Sequence, residues 1–479
     1  MNLWNKYKNM PVQAKASIWY TICNFFQKGI SFIVVPIYVR LLTTAEYGEW
    51  SVFQSWAGIL IIFASLNLYA GVYTKTLVDM QDGKERDRYT ASMQGLGTLI
   101  TIGFLLMYLL THEWCNHLIG LDTPFMLLLF LYFVVYPAFS FWGTRQRVEY
   151  RYRPMVVVTI IISILTPVVS ILLLQFTVLR AKALILGFLS VQCSIGIVFY
   201  VYHLWKGKCI YHKCYWTYAA KFNIPLIPHY VSLIVLGQSD RIMIKHFCGD
   251  SDAGIYSFAY QIASAINVLI SAINGSRVPW AYEQLKDRGY DRLKKITNAL
   301  VIMMAGITLF ISLISPEIIE ILGTSDYKVA VYVIPVVTLG VYFTFIYDLY
   351  ASVEFYFGAT KYVMYASVTG AVLNIILNAV FIPMFGFIVA AYTTLFCYII
   401  FMLMHSSFSR RVLREQDIVE PVYDNRAVFL LSAISSGICL SSMIVFNYLA
   451  IRIALIAMAI SICVFKRNEI KGLITAIKG

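Results

Sequence analysis

The chain has 479 residues, 59% hydrophobic and 13% charged, with 38 basic against 25 acidic side chains for a net charge of +13. A soluble domain carries roughly 25% charged and 45–50% apolar residues, so a water-facing globule is excluded, and the mean hydropathy of +0.72 agrees. With 27 Gly, 13 Pro and nine scattered Cys, collagen-like, disordered and disulfide-rich classes fall away as well, leaving an all-α polytopic membrane protein.

A spanning helix needs about 20 mostly apolar residues. In chain order such runs predict fourteen spans: 16–39, 50–74, 90–111, 124–143, 155–177, 183–205, 219–240, 255–280, 296–315, 329–353, 362–384, 387–405, 427–446 and 449–465. Lys and Arg alternate across the connections, with 29 on one side, 6 on the other, and Lys28, Arg277 and Arg452 inside or at the ends of spans. The connection 144–154 alone carries four arginines. That asymmetry places both termini in the cytoplasm and explains the net charge as topology, so no nucleic-acid partner is expected. The first span is expected to be retained, because it is long, lacks a small-residue cleavage pattern and contains Lys28. No GxxxxGK[ST] phosphate loop occurs. Connections of roughly 20 residues at most are too short for a folded catalytic domain, so a transporter is expected rather than an enzyme.

Shifting the chain against itself by 206 residues lays Glu46-Tyr47-Gly48-Glu49-Trp50-Ser51 on Asp252-Ala253-Gly254-Ile255-Tyr256-Ser257. With a small gap, Leu118-Ile119-Gly120 meets Ile321-Leu322-Gly323, and Arg151-Tyr152-Arg153 falls near Lys361-Tyr362. The pattern predicts two six-helix bundles, 1–205 and 206–410, with a two-helix appendix and tail at 411–479. An even number of spans per repeat predicts a pseudo-twofold axis along the membrane normal, with a site between the halves.

Asp240-Arg241-Ile242-Met243-Ile244 followed by Gly254-Ile255-Tyr256-Ser257-Phe258-Ala259-Tyr260 looks like the seventh-to-eighth span signature of bacterial polysaccharide flippases. Pro36, Arg40, Leu41-Leu42 and Glu46-Tyr47-Gly48 resemble the same family's opening; Thr43 departs from it, since Gly often stands there. These flippases belong to the multidrug/oligosaccharidyl-lipid/polysaccharide exporter superfamily. The resemblance implies movement of an undecaprenyl-diphosphate-linked oligosaccharide from the cytoplasmic to the outer leaflet of the bacterial inner membrane. The product would feed O-antigen, capsule or exopolysaccharide synthesis, with a polymerase and a chain-length regulator as partners. A multidrug cation antiporter of the same superfamily is the alternative. An integral-membrane polymerase is disfavoured by the short outer connections.

The residues themselves offer two polar stripes. Thr21, Asn24, Gln27, Lys28 and Ser31 share a face of the first span, and Ser257, Gln261, Ser264, Asn267, Ser271 and Asn274 step by three or four along the eighth. Such stripes face either a watery cavity or a neighbouring helix. Lys28 lies 12 residues into its span, about 18 Å deep, where a bare lysine costs roughly 2.5–3.5 kcal/mol; it contacts a substrate phosphate or a buried acid. Arg277, about 33 Å along its span, snorkels at the cytoplasmic edge or captures a diphosphate there. Asp240 and Arg241 form an ion pair or meet substrate, and His229, beside the bending prolines Pro225 and Pro228, sits in the core or relays protons. Asp348 and Glu354 bind a coupling cation or pair with Lys361. No cofactor is expected, and Na+, H+ or the membrane potential remains as the driving force. His112, Cys115 and His117, like Cys209, His212 and Cys214 with His203 nearby, lack the paired spacing of a zinc site, so no metal is expected.

Overall fold

The computed structural model describes Tyr7 and residues 10–465, with the side chains of 458–465 excepted, and among these every regular element is helical. The chain opens with α1 (Val12–Leu41) and α2 (Thr44–Ser65). Between them Thr43 Oγ1 accepts the Glu46 N–H at 3.3 Å while Glu46 Oε2 accepts the Thr43 N–H at 2.8 Å. This reciprocal cap satisfies two donors at the start of α2 and gives the atypical threonine a local role. Then come α3 (Val72–Asp79), α4 (Gly83–Leu110), α5 (His112–Ile119), α6 (Thr123–Val148), α7 (Tyr152–Phe176), α8 (Ala181–Gly207) and α9 (Lys213–Asn223). They are followed by α10 (Ile227–Cys248), α11 (Asp250–Ser264), α12 (Ile266–Lys286), α13 (Tyr290–Leu313) and α14 (Ser315–Leu322). The last are α15 (Ile334–Tyr356), α16 (Thr360–Phe385), α17 (Val389–Glu415), α18 (Asn425–Ser441) and α19 (Leu449–Phe465).

Each of the fourteen expected segments falls on a helix, and among the described residues twelve helical segments are long and apolar enough to cross a membrane. The two others are α2, diluted by Glu49, Gln54 and its serines, and α19, which has 17 residues. Several boundaries differ from expectation, among them those of the second, seventh and eighth segments. The second segment, expected to run to residue 74, stops as helix at Ser65, because Leu66 and Asn67 take positive φ of 47° and 50°. Asn223 Nδ2 donates to both of their carbonyls, at 3.1 and 3.2 Å, and so meets acceptors that the broken helix leaves open. The seventh is interrupted by a 3-10 turn at Ile224–Leu226, where Pro225 supplies no backbone donor. The eighth breaks at Ala265, between α11 and α12.

The chain divides into two compact units: residues 1–38 with 49–238, and residues 39–48 with 239–479. This packing division lies at 238/239 rather than at 205/206, keeps 411–479 with the second unit, and moves a ten-residue early segment into it. In the first unit a core forms around Leu68, Val72, Tyr73, Leu77, Tyr89 and Phe141. Tyr73 and Tyr89 stack with centroids 5.8 Å apart, and Phe141 meets Tyr73 at 4.7 Å.

Beside that core the four-arginine connection is tied down by one carboxylate. Glu149 pairs with Arg145 at 2.8 Å, Arg151 at 3.2 Å and Arg86 at 3.3 Å, and Arg145 also pairs with Asp87. Burial by itself raises the Glu149 carboxyl, but the hydrogen bonds and charges of Arg145, Arg151 and Arg86 outweigh it and hold the group below the usual carboxylate range. A carboxyl depressed in the folded state contributes stability above its unfolded value, and that contribution fades as pH falls through the lower folded value. Glu149→Gln is therefore expected to cost about 2 kcal/mol near neutrality, a difference from wild type that shrinks below about pH 4. Thermal unfolding of detergent-purified protein at pH 7 and pH 4 checks both statements.

In the second unit α15 is the most enclosed span. The early segment is anchored by Arg40 Nη2 donating to the Ile321 carbonyl at 2.6 Å, and by Thr44 and Ser251 hydroxyls 2.7 Å apart. There α2 crosses α11 at Gly48 and Gly254, positions that the 206-residue shift superimposes. A methyl group on Gly48 would strike the Asp250 carbonyl and lie 2.9 Å from Gly254 N; one on Gly254 would strike the Thr44 carbonyl and lie 3.0 Å from Gly48 N. Only glycine permits that approach.

Candidate functional site

The first stripe lies on α1, where Asn24, Lys28 and Ser31 are exposed and Gln27 is half-buried. The hydroxyls of Thr21 and Ser31 donate to carbonyls four residues back, Ser17 O at 2.9 Å and Gln27 O at 3.0 Å. They are satisfied within their own helix and join no neighbour. Lys28 has no ion-pair or hydrogen-bond partner among the described residues, so the buried acid weighed as its counter-ion is not observed. A cation so placed on a long apolar helix is available to an anion.

The second stripe is divided by the break at Ala265. Ser257, Ser264 and Ser271 donate to carbonyls of their own helices, while the Gln261 and Asn267 amides make no hydrogen bond among the described residues. At its end Asn274 is occupied. Its Oδ1 accepts from Arg277 Nε at 3.0 Å and its Nδ2 donates to Asp348 Oδ2 at 3.1 Å. Arg277 reaches further to Ser352 Oγ at 3.2 Å and the Asp348 carbonyl at 3.4 Å, and is 3% exposed. Snorkelling, expected from its sequence position, is overturned: one helical turn of polar side chains on α15 draws the guanidinium inward. Asp348 accordingly faces Arg277 through the Asn274 amide rather than Lys361.

Glu354, the other acid of α15, does not meet Lys361 either. Both its carboxylate oxygens lie on His405 Nδ1, at 2.9 and 3.0 Å, with both side chains fully buried. The imidazole stacks on Tyr347 at 5.4 Å, and its Nε2 has no hydrogen-bond partner among the described residues.

Asp240 is the hub of a third group. It sits on α10, 1% exposed, and receives Tyr256 OH at 2.6 Å, Asn378 Nδ2 at 2.7 Å and Thr394 Oγ1 at 2.8 Å. Asn374 extends the network, donating to Thr394 Oγ1 at 2.9 Å and accepting from Ser239 at 3.0 Å, and Thr393 donates to Asn378. The ion pair expected between Asp240 and Arg241 is replaced by this set of hydroxyl and amide donors, while Arg241 lies over the Tyr260 ring at 4.5 Å. A charge buried in apolar surroundings is stable only when so satisfied. Sequence reasoning missed Asn374, Asn378, Thr393, Thr394, Tyr256 and His405. The available signal was Asn374 and Asn378, four apart in an otherwise apolar run and hence on one helical face.

The remaining candidates take local roles. Pro225 lies in the 3-10 interruption and Pro228 in the first turn of α10, with His229 half-buried beside Tyr230, ring centroids 5.8 Å apart. His203 is buried on the Ala138 carbonyl at 3.1 Å, and His212 caps α9 by accepting the Tyr215 N–H at 3.4 Å. Among the described residues no group of three or more His, Cys, Asp or Glu could hold a metal ion.

Comparison with known proteins places this geometry in context. The polysaccharide biosynthesis protein family matches residues 14–285, and the MatE family matches residues 225–380. An uncharacterized membrane protein of Haemophilus influenzae is 28% identical over 376 residues, 75% of this chain and 88% of that protein. The Lsg locus putative protein 1 of the same organism is 24% identical over 291 residues, 57% of this chain and 67% of that one. Among solved structures, the lipid II flippase MurJ in an inward closed conformation is similar at a TM-score of 0.67 and 15% identity, covering 95% of this chain and all of that one. An inward-facing multidrug resistance MATE family transporter of the MOP superfamily is similar at 0.60 and 11% identity, over 82% and 96%. These likenesses show a shared fold, and the neighbours are transporters and flippases rather than enzymes. With more than half of its length matched, the chain belongs to the polysaccharide biosynthesis protein family.

Proposed function

We propose that this protein is a flippase that carries a prenyl-diphosphate-linked oligosaccharide from the cytoplasmic to the outer leaflet of a bacterial inner membrane by alternating access. Its two six-helix repeats, 1–205 and 206–410, would supply the halves, with both termini cytoplasmic. The observation that carries the proposal is Lys28, exposed and unpaired among the described residues on a hydrophobic helix, where a diphosphate is the matching anion. Family membership supports a saccharide cargo, and the fold shared with a lipid II flippase supports a lipid-linked one. Gln261 and Asn267, with amides uncommitted among the described residues, are placed to meet sugar hydroxyls. Arg277 and Asn274 act as supports rather than as contacts. Outward movement of an anion down an inside-negative potential releases about 2.3 kcal/mol per charge per 100 mV, so no ATP site is required. Asp240 and the Glu354–His405 pair are the groups through which Na+ or H+ could couple. A polysaccharide polymerase and a chain-length regulator are the downstream partners this reading calls for.

Lys28→Ala is expected to lower transfer of a lipid-diphosphate oligosaccharide to the far leaflet of proteoliposomes about tenfold or more, with expression and Tm unchanged. Transfer equal to wild type would move the phosphate site elsewhere. Export of cationic dyes with no transfer of any prenyl-diphosphate sugar would favour the multidrug antiporter, which the MATE-like fold also accommodates.

A further inference from the structure

The first unit bears a half-open pocket of about 380 Å³ that none of the candidate groups above lines. Gln54 and Gly58 from α2, Tyr132 and Tyr136 from α6, and Tyr230 and Gln238 from α10 line it, each pair spaced four or eight residues apart so that both members share a helix face. Asn67, from the positive-φ bend after α2, closes one side together with Tyr69. Every lining residue is uncharged. The amides of Gln54, Asn67 and Gln238 and the hydroxyls of Tyr132, Tyr136 and Tyr230 make no hydrogen bond among the described residues.

We infer that this cavity is a subsite for one neutral pyranose ring of the transported glycan. Three properties select that ligand. Amides and phenols each donate and accept, as sugar hydroxyls do, whereas a prenyl chain would displace their water and offer no hydrogen bond in return. The tyrosine rings offer flat apolar faces to the C–H face of a sugar, with Tyr132 and Tyr136 centroids 5.0 Å apart and Tyr132 and Phe188 5.6 Å apart. The absence of charge in the lining turns away hexuronates, phosphates and cationic drugs, whose unpaired charge would be costly to desolvate there. The volume is at the small end of ligand pockets, about 300–1,000 Å³, which suits one ring rather than a chain. Gly58 keeps the space open: a side chain there would begin 3.3 Å from Gln238 Oε1. Thus the subsite reads the identity of a single sugar, while the anion is held elsewhere.

This inference rests on the saccharide-transport reading, and the test separates the two. The full chain is placed in nanodiscs and probed by saturation-transfer NMR with methyl glycosides of a neutral hexose, an N-acetylhexosamine and a hexuronic acid. At least one neutral glycoside is expected to receive saturation, and the hexuronide at least about fivefold less. The Gln54→Leu/Gln238→Leu pair should weaken binding roughly five- to tenfold, the size of one or two lost neutral hydrogen bonds. Gly58→Leu, which leaves every polar group in place and fills the space, should abolish it. No transfer to any neutral glycoside, an equal or stronger signal from the hexuronide, or transfer undiminished by Gly58→Leu would overturn the subsite. Proteoliposomes read the other question. Wild-type transfer of lipid-linked oligosaccharide with an NMR result of that overturning kind removes the subsite and leaves the flippase. Glycoside binding that the variants abolish, with no lipid-linked cargo moved by wild type, leaves the subsite and removes the flippase.

Discussion

Arg277→Met is expected to destabilise the protein by about 3–5 kcal/mol and to lower its Tm by several degrees in detergent. The guanidinium is 3% exposed and is held by Asn274 and Ser352, with the Asp348 carboxylate on the other side of the same Asn274 amide. Removing the cation leaves that part-buried carboxylate with the Asn274 amide as its one hydrogen-bond donor among the described residues, and an uncompensated charge away from water is what makes such deletions expensive. The double variant Arg277→Met/Asp348→Leu removes both charges and should recover most of the loss, because the two sites share a partner and their effects do not add. A single-variant Tm equal to wild type would mean that solvent, not Asn274 and Ser352, satisfies the guanidinium. If the double variant folds normally yet moves no cargo, Arg277 acts on the substrate as well as on the fold.

Asp240→Leu should be as severe, and Asp240→Asn should not. Leucine strands three buried donors, from Tyr256, Asn378 and Thr394, at about 1–3 kcal/mol each, and the protein is expected to fail to accumulate in the membrane. Asparagine keeps the shape and an acceptor oxygen while removing the charge. It is expected to purify with a Tm close to wild type and to transport without responding to an imposed Na+ or pH gradient. Full gradient dependence in Asp240→Asn would exclude this carboxylate from coupling and turn attention to Glu354 and His405. Radiolabelled-cargo uptake into vesicles with and without the gradient gives the readout.

Membrane spans were legible because lipid demands long apolar runs, and that demand is written residue by residue from 16–39 to 449–465. The interruptions were harder to read. Pro225 announced a disturbance in the seventh span, but nothing near Ser65 announced that the second would end there, since the group meeting its carbonyls is Asn223, 157 positions from Leu66. The same distance problem governs the sites. Asp240, Arg277, Asp348 and Glu354 stand out as charges in apolar runs, whereas their partners are neutral or distant: Asn378 is 138 residues from Asp240, and His405 is 51 from Glu354. A charge therefore marks itself in a sequence; whatever satisfies it does not. Arg277 was misread for a related reason. Which neighbours face it is set by packing against α15.

The ten residues 39–48 carry a consequence for synthesis. They emerge with the first span yet pack within the second unit, so Arg40 waits for Ile321, 281 residues later, before its guanidinium finds its acceptor. Closing so long a loop is slow, although its equilibrium cost grows only with the logarithm of its length. Residues 239–479 expressed alone would lack a piece of their own interior, and a ribosome that stalls midway would release an N-terminal fragment with that piece uncovered. Gene-splitting between the units would then succeed only when both fragments are made together, and quality-control proteases would see the orphaned segment first.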